Sequence, residues 1–123
     1  MKYAYKTKYN NPEHKKVKAA GAKWNRHLKL WMSNKPIEGL TPEQPSGEYL
    51  PYFSYDDQKK RAVVEQVKEG FIQIKKHPEL VDKIDVLISK AKEYFKEDTF
   101  VNQCCLAAIE ENKERILGGI ING

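Results

Sequence analysis

Four of the chain's six prolines fall between positions 36 and 51, as Pro36, Pro42, Pro45 and Pro51. Each removes a backbone donor and fixes its own φ, so this stretch holds neither a regular helix nor a central strand. The regular structure of the 123 residues must come from the segments on either side of it. The sequence therefore divides into residues 1–35, a proline-rich connection over 36–55, a helical unit over 56–117, and a flexible tail over 118–123.

The first region is a short α/β unit by its patterning. In "KYAYKTKY", Tyr3, Tyr5, Thr7 and Tyr9 alternate with lysines, and a period of two predicts a strand with one lysine face. Asn11 is placed to cap a helix and Pro12 suits its first position. Gly21 can take the left-handed conformation that ends it. Apolar residues then flank the polar "NRH" of 25–27, which predicts a hairpin. A unit of 35 residues has little room for a core. Either indole, Trp24 or Trp31, would bury about 150–250 Å². Trp31, flanked by Leu30 and Met32, is the expected core residue. On this reading Trp31→Ala unfolds the first unit and leaves the helical signal of 56–117 in place.

Beyond the connection the period changes to that of helices. Val63, Val67, Phe71 and Ile74 form one face, and His77-Pro78 ends it. Leu80, Ile84, Leu87, Ala91 and Tyr94 form a second stripe. Asp98 or Thr99 caps a third, with Val101, Cys105, Ala108, Asn112 and Ile116 in line, and Gly118-Gly119 is expected to stop it. Ser54 and Asp57 fit a variant of the capping box. The expected fold class is α+β: a small strand-helix-hairpin N-terminal module followed by a C-terminal three-helix bundle. Tyr49, Leu50, Tyr52, Phe53 and Tyr55 crowd the end of the connection, which is expected to pack in part on its neighbours.

Charge separates along the same division. Residues 1–35 carry ten lysines and arginines against one acid, Glu13, whereas residues 36–123 carry twelve bases and sixteen acids. A net +9 on so short a segment points to a polyanion as partner. The candidate contacts are Lys6 and Lys8 on the first strand, Lys15, Lys16 and Lys18 on the short helix, and Lys23, Arg26 and Lys29 on the hairpin. Tyr3, Tyr5 or Trp24, where exposed, are the candidate rings for stacking on unpaired bases. Lysine outnumbers arginine, which favours phosphate contacts over base reading and hence binding without sequence preference.

Other chemistry is not signalled. Walker A, G-x-G-x-x-G and H-E-x-x-H patterns are absent. His14, His27 and His77 have no nucleophile near them in sequence, so no catalytic residue is expected. Adjacent Cys104 and Cys105 match no zinc spacing and read as reduced helix-core residues, and no metal or other cofactor is expected. No run approaches the ~18 apolar residues of a membrane span. The chain is expected to be soluble and cytoplasmic, with no membrane partner.

The residues Lys18, Gly21, Ala22, Lys23, Trp24, Lys29 and Trp31 spell K-x-x-G-A-(K/R)-W followed by K-x-W. This pattern resembles a small domain of unknown function that recurs in phage and plasmid proteins, attached to antirestriction, primase or conjugation modules. The resemblance covers the first third of the chain. It implies a non-catalytic accessory protein of a mobile element in a host cell's cytoplasm, acting on nucleic acid or a nucleoprotein complex, with a role in counter-defence. The alternative is a protein–protein inhibitor or adaptor of the antirestriction or anti-CRISPR type. It would use Trp and Tyr anchors and a homodimer surface on the helical unit.

Overall fold

A computed structural model describes residues 1–8 and 11–121. It shows an N-terminal strand-rich module followed by a run of helices. The module comprises β1 (Tyr3–Tyr5), α1 (Pro12–Ala19), β2 (Lys23–Asn25) and β3 (Leu30–Ser33). The helical part comprises α2 (Gln58–Lys76), α3 (Ile84–Tyr94) and α4 (Phe100–Ile121), with short 3-10 turns at Gly47–Tyr52, Tyr55–Asp57 and Pro78–Lys83.

Local chemistry accounts for the module's turns. The Asn11 side chain accepts the Glu13 N–H at 2.9 Å, with Pro12 at the first helical position. At the other end Gly21 has φ +76°. Ala22 N–H donates to Val17 O and Gly21 N–H to Lys18 O, the two bonds of a Schellman motif. The hairpin tip is held by Asn25, whose Oδ1 accepts the N–H groups of His27 and Leu28 at 3.0 and 2.9 Å. Lys29 N–H closes the loop onto Asn25 O, with Lys29 itself at φ +57°.

All pairing is antiparallel, in the order β1-β3-β2. Tyr5 opposes Trp31, which opposes Trp24, and the adjoining row is Ala4, Met32 and Lys23. Successive side chains leave opposite faces. The first row therefore meets α1, and the second meets the helical part. Tyr5, Val17 and Ile37 form the buried centre on the α1 side, where the Tyr5 hydroxyl accepts the Ile37 N–H at 2.9 Å, so Tyr5 is not a ring open to stacking on bases.

Here the structure departs from the strand read in the sequence. The alternation predicts one face of lysines open to solvent, but β1 is only three residues long and the middle one, Ala4, is fully buried under the helices. Lys2 and Lys6 flank it and extend past its ends. The expected place of Tyr9 lies outside the described residues. Trp31 is core only in part: it is partly buried and packs against the Tyr5, Val17 and Ile37 cluster, whereas Trp24 is exposed.

The larger core is continuous from sheet to helices. It joins Ala4, Leu28, Leu30 and Met32 to Leu50 and Phe53 of the proline-rich segment and to Phe71, Phe95 and Phe100 of the helical part. Gly47 approaches α4 so closely that an added Cβ would lie 3.1 Å from Ala108 Cα. The segment's remaining aromatics divide: Tyr49 is half-buried, whereas Tyr52 and Tyr55 are exposed.

The helices follow their stripes with local exceptions. On α2, Val64, Val67, Phe71 and Ile74 are buried, with Val63 at the edge. The second stripe breaks at both ends. Residues 78–83 wind as a 3-10 turn, whose tighter pitch carries Leu80 off the α-helical face. At the C-terminal end Phe95 turns inward instead of Tyr94. Thr99 caps α4, its hydroxyl accepting the Asn102 N–H at 3.1 Å. Ser54 and Asp57 do meet, but as a hydroxyl donating to a carboxylate at 3.2 Å rather than as reciprocal backbone caps. Gly118 and Gly119 do not stop α4, which runs on to Ile121. Asn122 and Gly123 lie outside the described residues.

Cys104 and Cys105 are both fully buried, because α4 is covered by α2 on one side and by the 47–52 turn on another. Burial pushes the Cys104 thiol up to about 11 and the Cys105 thiol up to about 12. Both should resist iodoacetamide near neutral pH in the native protein and react only on unfolding, which mass spectrometry after timed labelling would show. The same shifts make the fold sensitive to alkali. Unfolded thiols lose protons from about pH 8.5 while the folded ones retain theirs, so this contribution is intact below that pH and is lost by about pH 12.

Candidate nucleic-acid interface

The pairing of Trp24 with Trp31 across β2 and β3 puts both indoles on the α1 side of the sheet. Their ring centroids are 5.4 Å apart, tilted by 55°. His14, on α1, meets Trp31 edge-on at 5.3 Å, and its Nδ1 lies 3.4 Å from the Thr7 hydroxyl. Lys18 lies one helical turn beyond His14 and so shares its face. Together Thr7, His14, Lys18, Trp24 and Trp31 line an open cleft of about 430 Å³. Trp24 keeps 51% of its surface exposed. The result is an aromatic cleft of mutually tilted rings with a cation at its margin.

Other candidate cations occupy different surroundings. Lys6 and Lys29 line a second cleft of about 460 Å³ with His27, Glu48, Tyr49 and Tyr52. Lys23 lines a third, of about 350 Å³, where Trp24 forms one wall and Asp57 and Lys60 another. Lys16 lies two residues, about 200°, from Lys18 round α1 and extends over Gly39. Lys8, Lys15 and Arg26 are exposed, on the segment after β1, on α1 and at the hairpin tip. The cations therefore surround the module rather than converge on one face. Among the described residues, none of these eight makes an ion pair. Lys2 does, with Asp98 at 2.8 Å, and this contact raises its pKa.

Several cleft residues carried no signal of a role in binding in the sequence. His14 has the neighbours of a surface histidine, although its spacing from Lys18 places both on one side of α1. Trp31 joins the cleft because the hairpin register sets it opposite Trp24. Tyr52 stands in the sequence as one apolar residue among five. Among the described residues, no group of three or more His, Cys, Asp or Glu is placed to hold a metal ion, and no helix is long and apolar enough to cross a membrane. No family model, curated protein or solved structure matches the chain.

Proposed function

We propose that this is a non-catalytic nucleic-acid-binding protein whose N-terminal module stacks unpaired bases on Trp24 and neutralises phosphates with the surrounding lysines. The observation that carries this reading is the half-exposed Trp24, backed by Trp31 and bordered by Lys18 in an open cleft. An exposed indole held in place by a second one offers stacking area at little ordering cost. Lys18 at its margin and the other candidate cations of the module, which make no ion pair among the described residues, suit a polyanion whose release of counterions drives association. With Lys18 at the margin and no arginine lining the cleft, binding without sequence preference is favoured. The K-x-x-G-A-(K/R)-W pattern supports placing such a protein among phage and plasmid accessory factors that act in counter-defence inside a host cell.

Titration of tryptophan fluorescence with single-stranded oligonucleotides tests this directly. Quenching should weaken steeply between low and physiological salt. Trp24→Ala should weaken binding by about 5- to 150-fold, the equivalent of about 1–3 kcal/mol of stacking. Lys18→Glu should weaken it and flatten the salt dependence. Failure to bind single-stranded or duplex DNA or RNA at low salt would remove this reading.

A second reading, a protein–protein adaptor, is favoured by the exposed Leu80, Val81, Val86 and Tyr94 on α3 and the turn before it. Such a surface suits a partner or a second copy of the chain. Sedimentation over a wide concentration range, with Val86→Glu as the control, distinguishes self-association from a monomer.

A further inference from the structure

The second cleft extends the first. Lys6 and Thr7 are consecutive, as are Leu30 and Trp31. Lys6 and Leu30 line the cleft that contains Tyr52, whereas Thr7 and Trp31 line the cleft that contains Trp24. The two clefts thus lie back to back across the end of the sheet where β1 finishes and β3 begins, separated by a single backbone layer. Tyr52, like Trp24, is an exposed aromatic residue lining its cleft. Its ring is 61% exposed, and the chain is anchored on either side of it by buried Leu50 and Phe53. Tyr49 lines the same cleft, its ring edge-on to Phe100 at 5.4 Å and its hydroxyl donating to Glu43 at 3.3 Å. Lys6, His27 and Lys29 border this cleft, against one acid, Glu48. The hairpin tip joins β2 to β3 at this end of the sheet, carries exposed Arg26, and is stiffened by the two bonds to Asn25 Oδ1.

Resting on the nucleic-acid-binding function, we infer that the bound nucleic acid is a single strand that turns over this end of the sheet and stacks one base on Trp24 and another on Tyr52. The tip cations Arg26 and Lys29 meet the phosphates between them. A duplex does not suit the site, because its bases are already stacked and its stiff axis cannot fold round one backbone layer. A single strand can, and its unpaired bases offer a face to each ring whatever the sequence. The positive border of both clefts matches a phosphodiester chain better than an apolar peptide, and Glu48 alone opposes it.

The test compares a dinucleotide with an oligothymidylate of about eight residues, a length that single-strand modules occupy. Trp31 lines the first cleft and neither of the others, so its quenching, read in a Trp24→Phe background that keeps a ring for stacking, reports that cleft's occupancy for either probe. Tyr52→Ala should weaken the longer probe by about 5- to 150-fold and leave the dinucleotide unchanged. Tyr52→Phe, which keeps the ring, should restore the longer probe. The pair Lys6→Glu and Lys29→Glu provides a second route should Tyr52→Ala not fold: it should selectively weaken the longer probe and reduce its salt slope. If the longer probe binds but neither set of changes affects it, the path over the sheet end is wrong and the Trp24 site stands. Equal competition by a duplex of the same length also overturns the path. If neither probe nor duplex quenches the wild-type protein, the failure lies with nucleic-acid binding itself.

Discussion

Leu30→Ala should abolish the native fold's two signatures together. Tryptophan fluorescence and helical circular dichroism are expected to fall in a single transition, at a denaturant midpoint lowered by the equivalent of about 2–5 kcal/mol. Leu30 lies on β3, the central strand, yet its side chain is 2% exposed within the cluster that holds Phe71, Phe95 and Phe100. Removing its branched end leaves a void between sheet and helices, and the neighbours on each side are fixed by others. A small protein has only about 5–15 kcal/mol of stability in total, so a loss of this size has global effect. Fluorescence that collapses well before the helical signal would show that the sheet and helices unfold separately. That separate behaviour is what residues 1–35 suggest when read alone.

The second large effect is expected at Tyr5. Its ring is 1% exposed beneath α1, and its hydroxyl accepts the Ile37 N–H. Tyr5→Ala should cost about 3–5 kcal/mol by emptying the centre of the α1-side cluster. Tyr5→Phe isolates the hydrogen bond, and the buried Ile37 N–H left without its partner should cost about 1–3 kcal/mol. Chemical denaturation of the three proteins, monitored at the tryptophans, measures both. A Tyr5→Phe variant as stable as the parent would mean that water reaches Ile37 N–H and replaces the phenol.

The order of elements was legible because each boundary carries its own chemistry. Asn11-Pro12 begins α1, Gly21 ends it, and alternation on either side of a polar tip predicts the hairpin. The helical stripes were legible for the same reason, up to the 3-10 turn at 78–83, which composition alone does not separate from an α-helix. What failed to show was tertiary. Ala4 is a small residue between lysines, and only the presence of helices beneath makes it core. Trp31 has the flanking residues of a core position, yet it packs only at the edge of the cluster that Tyr5, opposite it on β1, fills with Val17 and Ile37. Trp24 and the basic residues were visible one by one. The placing of Trp24, Lys6, Lys18, Lys23 and Lys29 in three clefts depends on sheet register and on the turn that displays Tyr52, neither of which is encoded locally.

The strand order has a consequence for behaviour at high concentration. β1 is partly shielded along its outer side, where Glu43 N–H donates to Ala4 O. The other margin is β2, three residues long and bearing Lys23. A margin so brief, and charged, is a poor template for a neighbouring molecule to extend the ladder. Crowded samples of this protein should therefore resist cross-molecule strand addition, even though its sheet never closes on itself.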